Sequence, residues 1–237
     1  MKTRLDKYLT HCGVGTRSQV KLLIKNGKVT VDGEITKKSE TKIDENNIVT
    51  CNGEIMHYNE FEYFMLNKPK GVVSATKDNV STTVIELIKD CTHKDIFPVG
   101  RLDKDTEGLL IITDDGGLAH NLLSPKKHVD KKYFCRLDYE LSRQSAKKLE
   151  CGVEIEDGVI TKPAIVEFTS IPTEVFITIH EGKFHQVKRM FNAVGLNVTY
   201  LKRMSMGNLV LDKDLLPGEY RPLTIKEVKV LYSLCKK

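Results

Sequence analysis

The 237-residue sequence predicts an α+β protein in two parts: a small helix-and-hairpin unit, then a larger domain whose mostly antiparallel mixed sheet is flanked by helices. Three observations carry this. Apolar spacing changes from a helical to a strand period near residue 29, strands outnumber helices in the rest of the chain, and several connections are of hairpin length. At roughly 150 residues per domain, the length suits one large domain or a small one joined to a medium one. Apolar residues make up 40% and charged residues 29%, which excludes disordered, collagen-like and membrane-embedded classes. The longest aliphatic run, residues 109–112, falls far short of the roughly 18 residues of a spanning helix. The start, Met1-Lys2-Thr3-Arg4-Leu5-Asp6, is charged where an export signal is apolar, so a cytoplasmic protein with no membrane partner is expected.

Leu5, Tyr8, Leu9 and Cys12 recur at i, i+3, i+4, i+7 and predict a short helix ending at Gly13-Val14-Gly15. Thr16-Arg17-Ser18-Gln19 has capping-box spacing, Val20, Leu23 and Ile24 form a stripe, and Gly27 stands where a C-terminal cap belongs. Val29 and Val31 then alternate with polar residues, and Asp32-Gly33 signals a tight hairpin into Glu34-Ile35. A polar stretch at 57–60 reads as a linker between domains 1–58 and 59–237. Beyond it the pattern predicts strands at 61–66, 109–113, 133–137, 153–155, 165–169, 175–179, 198–201 and 209–211. Helices are predicted at 82–89, 118–123, 143–149 and 184–194.

Charge is unevenly placed. Residues 1–30 hold seven bases, Lys2, Arg4, Lys7, Arg17, Lys21, Lys25 and Lys28, against Asp6, whereas 31–59 hold three bases and six acids. A second basic concentration, Lys183, Lys188, Arg189, Lys202 and Arg203, meets only Glu181 between 181 and 203. Two basic surfaces on a chain of net charge +5 suit an extended polyanion, although solvated lysine faces would look the same. The six cysteines form no Cys-x-x-Cys pair and have no histidine at ligand spacing, so neither a metal nor a disulfide framework is expected. With no Gly-x-Gly-x-x-Gly or Walker pattern, no cofactor is expected either.

The segment with most chemical potential is Gly100-Arg101-Leu102-Asp103-Lys104-Asp105-Thr106-Glu107-Gly108-Leu109-Leu110, two carboxylates in a loop before an apolar strand. A carboxylate there can serve as nucleophile, general base or metal ligand, or simply cap an Asx turn. At about 100° per residue, Phe184, Val187, Phe191 and Val194 fall within roughly 80° and define a buried helix face. Arg189 points away from that face. Lys188 lies at its border, where a long side chain can reach a pocket edge.

Two resemblances order these candidates. Arg4-Leu5-Asp6-Lys7-Tyr8-Leu9 and Lys28-Val29-Thr30-Val31-Asp32-Gly33 resemble the S4 RNA-binding domain over about the first 55 residues. That resemblance implies phosphate contacts by Arg4, Lys7, Arg17, Lys21, Lys25 and Lys28. Gly100-Arg101-Leu102-Asp103, Asp105-Thr106-x-Gly108-Leu109, Asn67-Lys68-Pro69-x-Gly71 and Lys132-Tyr133 resemble the motifs of RNA pseudouridine synthases. So do Glu181-Gly182-x-x-His185-Gln186-Val187-Lys188-Arg189-Met190 and Pro217-Gly218-Glu219-Tyr220-Arg221-Pro222-Leu223, and together these cover almost the whole chain.

The branch with an S4 domain modifies ribosomal RNA, and the likeness is nearest to its 16S members. The resemblance therefore implies isomerisation of uridine 516 of 16S ribosomal RNA. It implies Asp103 as nucleophile, Tyr133 stacked on the extruded uracil and Lys188 as the cation beside Asp103. Leu201 would close the pocket, Arg189 would touch phosphate, His185 would contact substrate, and Arg101 would brace the RNA gap. The partner would be 16S RNA or a small-subunit assembly particle, and the protein a monomer. A 23S target, a non-catalytic assembly factor, or a Mg²⁺ site at Asp103-x-Asp105 are the alternatives the residues leave open. Glu107 departs from the usual Thr or Ser, and Lys183-Phe184 from Arg followed by Tyr or Asn.

Overall fold

A computed structural model describes residues 2–44, 46–56, 60–91, 95–124 and 127–235. The chain divides into two compact units, Met1–Glu62 with Asp90–Asp95, and Tyr63–Lys89 with Ile96–Lys237. Of the linker expected at 57–60, residues 57–59 lie outside the described ones.

The first unit runs β1 (Thr3–Arg4), α1 (Leu5–His11), α2 (Arg17–Lys25), β2 (Val29–Val31), β3 (Glu34–Ile35), β4 (Lys42–Ile43), β5 (Val49–Cys51) and β6 (Glu54–Ile55). Thr16 and Gln19 close the reciprocal cap that starts α2. Leu5, Leu9, Val20, Ile24, Val29, Ile43 and Val49 form its core. Asp32 and Gly33 both take positive φ, 51° and 87°, the pairing that a two-residue hairpin of right-twisted strands demands.

The second unit begins with β7 (Tyr63–Lys68), β8 (Phe97–Pro98), β9 (Glu107–Thr113), α3 (Gly116–Leu123) and β10 (Lys131–Leu137). It continues through α4 (Arg143–Cys151), β11 (Glu154–Glu156), β12 (Val159–Ile160), β13 (Ile165–Phe168) and β14 (Glu174–Ile179). The last elements are α5 (Gln186–Asn192), β15 (Val198–Met206), β16 (Leu209–Val210), β17 (Tyr220–Pro222) and α6 (Ile225–Cys235). Its main sheet has the order β13-β14-β10-β15-β9-β7-β17, with β16 on β15 and β8 on β9. Among the described residues only its β9–β15 pairing is parallel, so the sheet is mixed and mostly antiparallel. Met65, Leu109, Ile111, Leu118, Leu122, Met206 and Leu231 bury one face beneath α3 and α6.

Two local expectations fail. Residues 82–89 are not helical: Thr83 bridges Val73, Val84 N–H donates to the Val73 carbonyl, and Lys89 N–H is taken by the Tyr220 hydroxyl. The helix expected from 184 starts at Gln186, because His185 adopts a left-handed conformation with φ 48°. Phe184 therefore leaves the buried face it was assigned and is 73% exposed. The C-terminal β17 and α6 were not anticipated, although Thr224 and Glu227 form a capping box at the start of α6.

Candidate active site

The Asp103 loop joins β8 to β9 and is held almost wholly through its backbone. Ser74 Oγ donates to the Leu102 carbonyl at 2.8 Å and accepts its N–H at 3.0 Å. From β7, the fully buried Lys68 ammonium donates to the carbonyls of Thr106 at 2.9 Å, Asp103 at 3.0 Å and Pro69 at 3.1 Å, with Lys104 at 3.4 Å. Burial pushes the Lys68 amine down to about 8 against the pull of Asp103, Asp105 and Glu107. After the loop, a Cβ on Gly108 would lie 2.3 Å from the Arg203 carbonyl oxygen. The close parallel approach of β9 to β15 thus requires glycine there.

Held this way, the Asp103 carboxylate is 26% exposed and meets two side chains of the α5 segment. His185 Nε2 lies 3.5 Å from its Oδ1 and Lys188 Nζ 3.5 Å from its Oδ2. Lys188 makes its shorter contact, 2.5 Å, with Asp105. Burial opposes the charge on Asp105, but the hydrogen bond and charge of Lys188 prevail and hold its pKa below the usual value. The ammonium expected beside Asp103 is therefore shared, with the greater part given to Asp105.

Asp103 lines a cavity of about 640 Å³, a size suited to a small ligand or a single nucleotide. Tyr133 and Leu201, 7% and 5% exposed, line it too, as do Arg101, His185 and Arg203. The wall comes from one sheet face: Lys131 and Tyr133 alternate on β10, Leu201 and Arg203 on β15, and Tyr133 stands opposite Arg203. Lys131 and Arg203 were not singled out for this wall, though each lies two positions from a residue that was, at the strand period. Both are buried, and among the described residues neither has a carboxylate partner. Lys131 donates to the Val129 carbonyl, and burial followed by the Arg203 charge lowers its pKa to about 8. Arg203 gives its Nε to the Leu109 carbonyl, while one terminal nitrogen, Nη2, has no partner among the described residues.

Other expected contacts are engaged elsewhere. Arg189 does not extend freely toward solvent: it donates to the Ile155 carbonyl at 2.7 Å, to Glu156 at 2.9 Å and to the Phe184 carbonyl at 3.3 Å. In the first unit, Arg4 and Arg17 both bind the buried Asp6 carboxylate, at 3.0 and 3.2 Å. Lys7, Lys21, Lys25 and Lys28 are exposed.

Residues 62–193 match the family model described as RNA pseudouridylate synthase, and residues 3–55 match the S4 domain. This chain belongs to the RNA pseudouridylate synthase family. The Bacillus subtilis protein named uncharacterized RNA pseudouridine synthase YtzG is 50% identical, with 96% of this chain and 98% of that one covered. Ribosomal small subunit pseudouridine synthase A of Escherichia coli is 39% identical over 95% of this chain and 98% of its own. A solved structure described as a pseudouridylate synthase superposes with TM-score 0.69 at 37% identity, covering 96% of this chain and 99% of that one. As a pseudouridine synthase the chain is an isomerase, built on the α+β fold that the sequence predicts. Among the described residues, no helix is long and apolar enough to cross a membrane.

Proposed function

We propose that this pseudouridine synthase acts on small-subunit ribosomal RNA, at uridine 516 of the 16S molecule, with Asp103 as its nucleophile. The observation that carries the chemistry is a half-buried carboxylate at the wall of a nucleotide-sized cavity, flanked by an ammonium and an imidazole. The reaction cleaves the N1–C1′ bond, turns the base and joins C5 to C1′; the C5 proton is lost and N1 regains one, so composition is unchanged. Attack by Asp103 on the ribose or on the base requires an ionised oxygen, and the Lys188 ammonium lies 3.5 Å from its Oδ2. The uracil would stack on Tyr133 and Leu201, while the free Arg203 nitrogen and the Lys131 ammonium supply donors for its electron-rich carbonyl oxygens. Lys188 also fills the space between Asp103 and Asp105 that a Mg²⁺ reading would need.

The small-subunit part of this assignment is supported by the relatives of 39–40% identity named ribosomal small subunit pseudouridine synthase A. Residues 1–58 are assigned to RNA anchoring and 59–237 to catalysis, with a cytoplasmic ribosome-assembly setting. The test is release of tritium from 5-tritiated uridine in a 16S transcript, with the modified position mapped by carbodiimide-stopped primer extension. Wild type should release tritium and give one stop at 516, whereas Asp103→Asn should bind the transcript and release none. Normal turnover by that variant would overturn the role of Asp103, and tritium release without a stop at 516 would overturn the target.

A further inference from the structure

We propose that Phe184, backed by the ring of His185, is a stacking platform for an unpaired RNA base adjacent to the target uridine. The inference rests on the RNA-isomerase reading and adds to it a second base-binding subsite at the rim of the cavity. Isolated exposed apolar side chains are ordinary. Phe184 differs in position, in backing and in rigidity.

Among the exposed large apolar side chains of the described residues, Phe184 and Leu123 alone line the cavity. The Phe184 and His185 rings are stacked, with centroids 3.8 Å apart and planes 18° from parallel. One face of Phe184 is therefore covered, and at 73% exposure the other is open to solvent. His185 in turn stands 3.5 Å from Asp103, so the two rings form a stack leading outward from the reacting carboxylate. Their spacing is close to the ~3.4 Å step between neighbouring bases on a strand. The next base along the RNA would extend the stack.

The platform is held in place before any ligand arrives. Gln186 accepts the Lys183 N–H and donates to Glu181, which also binds the Lys183 ammonium. Arg189, tied to Ile155 and Glu156, donates to the carbonyl of Phe184 itself. The left-handed backbone of His185 is an uncommon conformation for a side-chain-bearing residue, and it turns two consecutive rings face to face. A nucleobase is the ligand class that fits: single-stranded RNA is gripped by aromatic and imidazole stacking, and exposed Arg101 and Lys104 line the same cavity and suit flanking phosphates.

The experiment combines turnover with a local probe. Oligonucleotides carrying the target uridine are made with 2-aminopurine on its 5′ or its 3′ side, and with an abasic site at the same positions. Binding to wild type should quench 2-aminopurine at one of the two positions, and Phe184→Ala should abolish that quench. In tritium release, Phe184→Ala should raise KM about tenfold with kcat changed less than about twofold, as expected for the loss of one stacked base. Phe184→Tyr should restore most of the affinity, and the abasic substrate should erase the difference between wild type and Phe184→Ala. An unchanged thermal midpoint verifies that the exposed substitution leaves the fold intact. Quenching at neither position, or an alanine variant that matches wild type on intact RNA, overturns the platform while leaving the isomerase reading standing. Quenching that depends on Phe184 without tritium release supports the platform and overturns uridine 516 as the position modified.

Discussion

The two units use positive charge in opposite ways. In the first, Lys7, Lys21, Lys25 and Lys28 are exposed, and its two arginines are fastened to one buried carboxylate. In the second, Lys68, Lys131 and Arg203 are buried and bonded to backbone carbonyls. A hydrated lysine interacts with phosphate over a distance set by salt, whereas a desolvated cation acts only on what enters its cavity but acts strongly there. The first arrangement suits capture of a polyanion, the second suits chemistry on one of its residues.

The sharpest way to break this contrast is Lys188→Ala. It should lower kcat for tritium release by about a hundredfold. The slope of log affinity against log salt should stay unchanged, since the ammonium is spent on Asp105 and Asp103; a reduced slope would class Lys188 with the exposed cations. Next in size is Asp6→Asn. Removing the carboxylate that gathers Arg4, Arg17 and the Lys7 N–H should cost the first unit about 2 kcal/mol, read by urea denaturation. Retained stability would mean that the arginines are phosphate ligands rather than struts. The double variant Lys21→Ala and Lys25→Ala should weaken RNA binding several-fold at moderate salt and reduce the salt slope by about 0.7 per lost phosphate contact. Its kcat at saturating RNA should match wild type.

A third, half-exposed placement refines the comparison. Arg221 bridges Asp212 and Glu227, and its hydrogen bond brings Glu227 down to about 2 despite the opposing effect of burial. The folded-state value lies below the ordinary 4.5, so this stabilisation is present above pH 4.5 and is lost as pH falls toward 2. Glu227→Gln should therefore be slightly less stable than wild type at neutral pH, with the gap closing over that window. A gap that persists at pH 2 would assign the effect to the cap of α6 instead.

These outcomes bear on what the residues themselves could reveal. Elements with unambiguous periodicity were legible: the Thr16–Gln19 cap, the Asp32-Gly33 hairpin and the strand over 109–113 are governed by near neighbours. The helix expected at 82–89 was not, because its Thr83 and Glu86 close a local cap while Val73 and Tyr220 take the next backbone groups. Asp103, Tyr133, Leu201 and Lys188 could be picked out by motif; the first three line one cavity, and Lys188 reaches Asp103 from α5. The division of Lys188 between two carboxylates, the diversion of Arg189 to the Ile155 carbonyl and Glu156, and the buried pair Lys131 and Arg203 depend on strands and loops far apart in the chain. Periodicity carries no information about such pairings.

The parallel β9–β15 contact has a consequence for the order of events during synthesis. The loop bearing Asp103 leads into a strand whose partner is made much later, since 94 residues separate Leu109 from the Arg203 that holds its carbonyl. A nascent chain halted before β15 would lack the part of the cavity wall that Leu201 and Arg203 supply. The complete cavity wall is therefore a late product of translation, and polypeptides that stop before β15 should release no tritium while keeping the exposed lysines of the first unit.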